Sequence, residues 1–544
     1  MKFIHKVFLI IAALAAVACQ PKIDLLVHNA QVYTVNEEFE LVSAFAVHEG
    51  KFIAVGGEEL LDEYDARNVV NAQQLPIFPG FIDAHCHFLN LGLTLQQIDL
   101  VGTKSFDEVI QKTKKFVADK QPSVIRGRGW DQNDWEDQSY PTKERLDQLF
   151  PDTPVVLERI DGHAYLVNQK ALDLAGITAE TEVPGGTIII NQGVLTGVLV
   201  DAPMALIDTA LPEPTREEKI KAFELAQNIC TQHGLTTVDD AGLLKDDILL
   251  LDSLQKANRI QLRVYAMISN DSSSVDYFLQ NGRIRTSKLH VNSVKLYADG
   301  ALGSRGAALK EDYSDQPNHR GKFVTAVEDI EVLARKLAKS PFQLNTHAIG
   351  DAANAEVLRV YNEVLGPIED PRWRIEHAQI VDPSDWKGFG SKVIPSVQPT
   401  HATSDMYWAE QRLGKKRMSG AYAFKQLLDW SGTIALGTDF PVEEVSPMKT
   451  FYAAISRKDA EGYPVGGFQM QSALSRLEAL KGMTSWAAYA NFEEDVKGSI
   501  EVGKYADFVI LDRDIMTITP DEILQTTVVA TILNGNIVFS NRFN

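Results

Sequence analysis

The chain has 544 residues, against the ~150 residues of a typical domain, so it can hold one large core with attachments or several domains. Hydrophobic residues make up 45% and charged residues 23%, which excludes a disordered chain, a collagen-like repeat and a polytopic membrane protein. Asp and Glu number 73 against 53 Lys and Arg; the net charge of −20 repels phosphate backbones and excludes nucleic acid as a partner, while only 3 cysteines exclude a disulfide scaffold or a Cys-rich zinc module.

Residues 1–18 read as a signal peptide. Lys2 and Lys6 precede an apolar run from Val7 to Ala18, shorter than the roughly 20 residues that a membrane-spanning helix needs. Small residues, Ala15-Ala16-Val17-Ala18, stand directly before Cys19. This resembles the lipobox of a bacterial lipoprotein, with Ala16 where such boxes usually carry Leu. On that reading Cys19 is lipidated and the protein is exported and held to a bacterial membrane by the lipid alone, on a periplasmic or outer-membrane face. Gln20 is not an acidic retention signal, which favours the outer membrane. An ordinary secretory signal is the alternative.

Residues 19–77 carry short alternating strands with turn residues between them, as at Glu49-Gly50, and the pattern returns in residues 497–544, where Asn534-Gly535 marks a two-residue hairpin. The two ends are predicted to build one small β-domain. Between them, over residues 78–496, strand-like runs alternate with amphipathic helical stretches such as residues 217–233, where Ala222, Leu225, Ala226 and Ile229 recur at helical spacing. Such alternation predicts an α/β class, a parallel barrel or a doubly wound sheet. The strand-like runs exceed the eight of a barrel by one, the surplus lying early, beside a Gly-, Pro- and Trp-rich region. That region, about 125–215, is predicted to be an insertion near the barrel mouth.

Polar residues sit where the apolar strand cores end. In IFPGFIDAHCH, period-two alternation aims His85 and His87 at one face and Cys86 at the other. Lys295 in VKLYADGALGSR, His347 in LNTHAIGDA, His377 in RIEHAQ and Asp439 in GTDFPVE follow later strand cores in the same way. The C-terminal mouth of a barrel collects its active-site groups at such positions. Convergent imidazoles make poor core filler, because buried polar groups must be satisfied, and a metal ion would satisfy them together. Imidazole and carboxylate donors suit Zn²⁺ best, then Mn²⁺, Fe²⁺ or Co²⁺.

These motifs in order, from HNAQVYT through PGFIDAHCH, GRGWDQNDW, DGHAYLVNQKAL, VKLYADGALGSRGAAL, HAIGDAA, RIEHAQ and GTDFPVE to GSIEVGKYADFVILD, resemble the amidohydrolase superfamily, and within it family 3, typified by N-substituted formamide deformylases. The resemblance implies a metal-dependent (β/α)8 TIM barrel with a terminal β-sandwich. It implies one or two divalent ions, with His85, His87 and Asp439 on the more buried one and His347 and His377 on the more exposed one. Lys295, carbamylated to a carboxylate, would bridge them, since an ammonium has no lone pair to offer. The implied activity is hydrolysis of a non-peptide C–N bond in an N-substituted amide, formamide or cyclic amide by a metal-activated hydroxide, with Asp439 as general base and then acid.

Secondary candidates for substrate contact are Asp299 and Arg305 in the loop after Lys295, His163 in DGHAYLVN, and Gln398 with His401 in VQPTH. Trp130, Trp135 and Trp408 are candidates for an aromatic wall or for core. Cys86 and Cys230 are expected free. The alternatives are an N-acyl-amino-acid hydrolase or cyclic imidase on the same scaffold, with Arg305 receiving a carboxylate, and a non-catalytic metal- or solute-binding envelope lipoprotein. A homo-oligomer is compatible with either.

Overall fold

A computed structural model describes residues 20–160, 162, 164–183 and 186–542. The signal segment 1–18, the lipidation candidate Cys19 and the pocket candidate His163 lie outside them. Among the described residues no helix is long and apolar enough to cross a membrane. The chain divides into two compact units, Asn90–Ala222 and the remainder.

The larger unit is built on eight parallel strands: β1 (Phe81–Cys86), β2 (Leu235–Leu243), β3 (Arg263–Ser269), β4 (Leu289–Tyr297), β5 (Gln343–Ala348), β6 (Trp373–His377), β7 (Val393–Val397) and β8 (Ala435–Leu436). They pair in chain order, each parallel to the next. Backbone hydrogen bonds from Asp439 N to His85 O and from His87 N to Phe440 O, both 2.8 Å, bring the last strand back to the first. Asp83 strengthens this seam by accepting from Thr438 N at 3.0 Å and from Thr438 Oγ1 at 2.6 Å. The fold is therefore a nearly closed TIM barrel, as the alternation of runs predicts. Alternation along β1 explains its two faces: Asp83 and His85 point into the barrel, while Ile82 and Ala84 pack with Ala487, Ala488 and Ala490 of the helix Ser485–Ala490.

Two further sheets pack together, and the two end segments meet in one of them. One has four strands, all from residues 22–71; the other joins Gln31–Tyr33, Leu41–Val42 and Pro76–Pro79 to Phe508–Leu511, Val528–Leu533 and Asn536–Ser540. Their shared core contains Phe45, Phe52 and Phe508, with Phe45 4.9 Å from Phe508 and 5.2 Å from Phe52, ring to ring. Asn534 and Gly535 connect the last two strands with φ of 50° and 73°, the left-handed pair of a type I′ turn. Arg263 on β3 pairs with Asp507 at 2.5 Å and ties the barrel to this sandwich.

The smaller unit, residues 90–222, begins well upstream of the predicted insertion boundary near 125. It holds a mixed sheet of six strands, and the surplus run PVVLERI is its strand Val155–Arg159, not a barrel strand. Trp130 and Trp135 are buried in this unit's core with Leu157 and Val198 and supply no aromatic wall. Their indole N–H groups donate to Leu157 O at 2.8 Å and Thr103 O at 3.1 Å.

Gly437 sits at the seam, where an added Cβ would stand 2.5 Å from His85 N and 2.8 Å from Asp83 Oδ1. Gly437→Ala should therefore destabilise the fold by about 1–3 kcal/mol through overpacking, seen as a lowered thermal midpoint. An unchanged midpoint would show that the seam is looser than described.

Candidate active site

The residues singled out by motif gather where the barrel strands end. His85, His377 and Asp439, all buried, bring one ligand atom each to within 4.8 Å of one another. The others border this trio. His87 Nε2 is 3.2 Å from Asp439 Oδ1, Lys295 Nζ is 3.2 Å from His85 Nε2, and the His347 ring is 4.5 Å from that of His377. His85 Nε2 lies 3.6 Å from Asp439 Oδ1. Two of these residues hold left-handed backbone, His377 with φ 73° and Asp439 with φ 63°, a region costly for residues with a Cβ. At His377 the turn has a visible use: alternation would send Glu376 and His377 to opposite faces, yet both reach His85.

Burial sets the charge states. It lowers His85 to about 4 and His347 to about 3, helped in both by the nearby Lys295 ammonium, and takes His377 well below the usual imidazole range. All three are neutral near pH 7 and keep a lone pair for a cation. Burial also lowers Lys295, to about 8, against the opposing pull of Glu376 and Asp439. Burial alone would raise the Asp439 carboxyl, but the ring of His87, with Nε2 3.2 Å from Oδ1, opposes this, and the group is held well below the carboxylate range.

A second layer lies beneath. Glu376 Oε2 is 2.5 Å from His85 Nδ1, and Glu376 Oε1 is 2.8 Å from Arg374 Nε. Arg374 Nη1 donates to Asp239 Oδ2 at 2.9 Å and to Asn491 Oδ1 at 3.1 Å; its Nη2 donates to Ser396 Oγ at 3.1 Å and to Ala84 O. Sequence reasoning passed over Glu376 and Arg374, although charges at alternate positions of an apolar strand, RWRIEH, were the available signal. It also passed over Tyr297, two residues past Lys295, whose ring lies 5.3 Å from that of His347 and is 41% exposed.

The secondary candidates divide. His401 belongs to the cluster: its Nε2 is 3.7 Å from Asp439 Oδ2 and its ring stacks on His377. Gln398 faces His377, with Oε1 2.7 Å from Nδ1, so it orients a ring. Asp299 borders the cluster, its Oδ1 3.7 Å from His347 Nε2, while both its oxygens also accept backbone N–H groups, from Ile349 at 2.9 Å and from Ala308 and Gly350 at 2.8 Å, pinning the loop after β4. Arg305 is spent on Asp315, with Nε and Nη2 at 3.1 and 2.9 Å from its two oxygens. Cys86 and Cys230 are buried and free.

The donor set fits a divalent metal. Asp439 Oδ1, His347 Nε2 and His401 Nε2 are buried without an aligned hydrogen-bond partner, a costly state that an ion would relieve. Neutral imidazoles beside an ionised carboxylate are the ligands of zinc and its neighbours.

Comparison with known proteins agrees with this barrel. The model described as Amidohydrolase family matches residues 68–539, and the chain belongs to that family, family 3 of the amidohydrolases. It is 33% identical to Protein LONG AFTER FAR-RED 3 of Arabidopsis thaliana over 90% of this chain and 87% of that protein, and 32% identical to the putative amidohydrolase YtcJ of Bacillus subtilis (strain 168) over 94% and 98%. N-substituted formamide deformylase of Arthrobacter pascens is a more distant relative, at 25% over 94% and 97%. The crystal structure of an uncharacterized metal-dependent hydrolase from Pyrococcus horikoshii OT3 superposes with a TM-score of 0.79 at 27% identity, covering 91% of this chain and 99% of that one. The chain is thus a hydrolase of the amidohydrolase class.

Arg374 is fully buried between Asp239 and Glu376. Replacing it by Met strands two buried carboxylates and should cost about 3–5 kcal/mol. Chemical denaturation of Arg374→Met would read this loss, and a cost below about 1 kcal/mol would contradict the pairing.

Proposed function

We propose that this protein is a metal-dependent hydrolase of C–N bonds outside peptides, acting on a neutral N-substituted amide or formamide or a cyclic amide. The observation that carries this reading is the convergence of His85, His377 and Asp439 within 4.8 Å, buried at the strand ends of an amidohydrolase barrel. The deformylase relative supports the choice of bond. Of the alternatives, N-acyl-amino-acid hydrolysis needs a cation for the substrate carboxylate, and Arg305 is already paired with Asp315. The non-catalytic reading is disfavoured because the cluster stands in a chain of the amidohydrolase family and includes a carboxylate, Asp439, able to accept a proton.

His85, His87 and Asp439 would hold one ion, Zn²⁺ by donor type, and His347 with His377 a second. When bound, such ions supply a nucleophilic water at neutral pH and polarise the substrate carbonyl. The neutral amine of Lys295 would add to carbon dioxide, its nitrogen pair forming the N–C bond while one proton leaves, and the resulting carboxylate would bridge the site. Asp439, ionised well below neutrality, accepts the proton released as water adds to the carbonyl and delivers it to the departing nitrogen as the C–N bond breaks. The half-exposed ring of Tyr297 beside His347 offers an apolar face to a substituent on the substrate. Export and lipid attachment at Cys19 belong to the same proposal and rest on the leader pattern of residues 1–19.

Chelation should abolish turnover of a neutral formamide, and added Zn²⁺ should restore it; turnover in the metal-free protein would refute the scheme. Asp439→Asn should lower kcat by roughly 10²–10⁴. Unchanged kcat would remove Asp439 from the proton path. In a paired assay, neutral formamides should be hydrolysed in preference to acylated amino acids, and the reverse preference would favour the alternative. Palmitate label lost in Cys19→Ala would support the anchor, and label retained would exclude it.

A further inference from the structure

Resting on the reading of the His85 cluster as a metal centre, we propose that Glu376 is a positioning residue for the metal. It keeps the His85 proton on Nδ1 so that Nε2 faces the cluster as a lone pair, and it is itself held in place by Arg374, Asp239 and Asn491.

An imidazole carries its proton on either nitrogen, and the partner of one nitrogen decides what the other can do. Glu376 Oε2 lies 2.5 Å from Nδ1 on one edge of the His85 ring. On the other edge, Nε2 is 3.2 Å from Lys295 Nζ and 3.6 Å from Asp439 Oδ1. The opposite tautomer would set a lone pair against the carboxylate and turn its proton toward the place of a cation, so Glu376 disfavours it. Both side chains are fully buried, and no solvent competes for Nδ1.

Glu376 cannot turn away. Its other oxygen stands 2.8 Å from Arg374 Nε, and Arg374 is fixed by Asp239 at 2.9 Å and Ser396 at 3.1 Å. Asp239 in turn accepts from Asn491 Nδ2 at 2.8 Å. Asn491 caps the C-terminus of the helix Ser485–Ala490, so an element distant in sequence sets the angle of a cluster imidazole. His377 shows the contrast: its Nδ1 meets the neutral amide oxygen of Gln398 at 2.7 Å. A carboxylate partner makes the imidazole a stronger donor than an amide does. His85 is thus the better anchored of the two.

The test measures Zn²⁺ affinity of the full chain by chelator competition, with the absorption spectrum of the Co²⁺-loaded protein as a second readout and the thermal midpoint as a check on folding. Glu376→Gln should weaken Zn²⁺ binding by roughly 10- to 100-fold and alter the Co²⁺ bands. Asp239→Asn, which leaves Glu376 and His85 in place, should weaken binding in the same direction by less. A folded Glu376→Gln variant with wild-type affinity and an unaltered Co²⁺ spectrum would overturn the proposal. Should that variant fail to fold, unchanged affinity in Asp239→Asn would overturn it instead. Wild-type protein that binds no divalent ion, or binds one as tightly after His85→Ala, would remove the metal-centre reading as well and so marks a separate failure.

Discussion

A guanidinium sealed inside a barrel has to be met by carboxylates, and Arg374 is met by Asp239 and Glu376. This pairing organises the larger unit. Through its remaining N–H groups Arg374 also reaches Ala84 O on β1 and Ser396 on β7, so one side chain on β6 touches strands on both sides of the interior. The barrel is filled at this level by charge, whose partners must be in register, where hydrocarbon would tolerate a slip. Asp83 acts similarly at the seam, taking Thr438 from beyond β8.

The chemistry stands directly on that floor. Neutral imidazoles and an ionised carboxylate share one low-dielectric space; burial keeps the imidazoles neutral, and the neighbours of Asp439 hold its carboxyl ionised against burial. The left-handed turns at His377 and Asp439 bring their side chains inward where regular strand geometry would end. Their cost is carried by the packed interior around them. Two loop residues that look suited to a substrate help hold the rim, Arg305 through Asp315 and Asp299 through three backbone N–H groups, the latter while standing 3.7 Å from His347 Nε2. Tyr297, partly exposed, stands beside the cluster with its ring near His347 and Lys295.

Much of this was legible in the chain itself. Period-two alternation placed His85 and His87 together, and polar residues following apolar cores marked strand ends at Lys295, His347, His377 and Asp439. Local pattern could not tell which strand-like run leaves the barrel. Val155–Arg159 has the apolar character of a barrel strand and pairs elsewhere because its neighbours in space, Ile125–Trp130 and Ala164–Val167, lie in the smaller unit. Trp130 and Trp135 were open between wall and core for a related reason, since an aromatic side chain has the same sequence signature in both, and the structure places them in the core.

By itself the sequence determined the strand and helix periods, the meeting of two terminal β-segments and the order of the donor residues, because these follow from side-chain spacing along a local backbone. The partners were decided only by the tertiary structure. That Glu376 serves His85, that Arg305 is spent on Asp315 and that Asp299 is taken up by backbone N–H groups depend on which groups burial brings within about 3 Å of each other. The bond from Glu376 to His85 joins residues 291 positions apart, while those of Arg305 and Asp299 close loops within a few tens of residues. No local period encodes the first, and closure of the eight strands creates it.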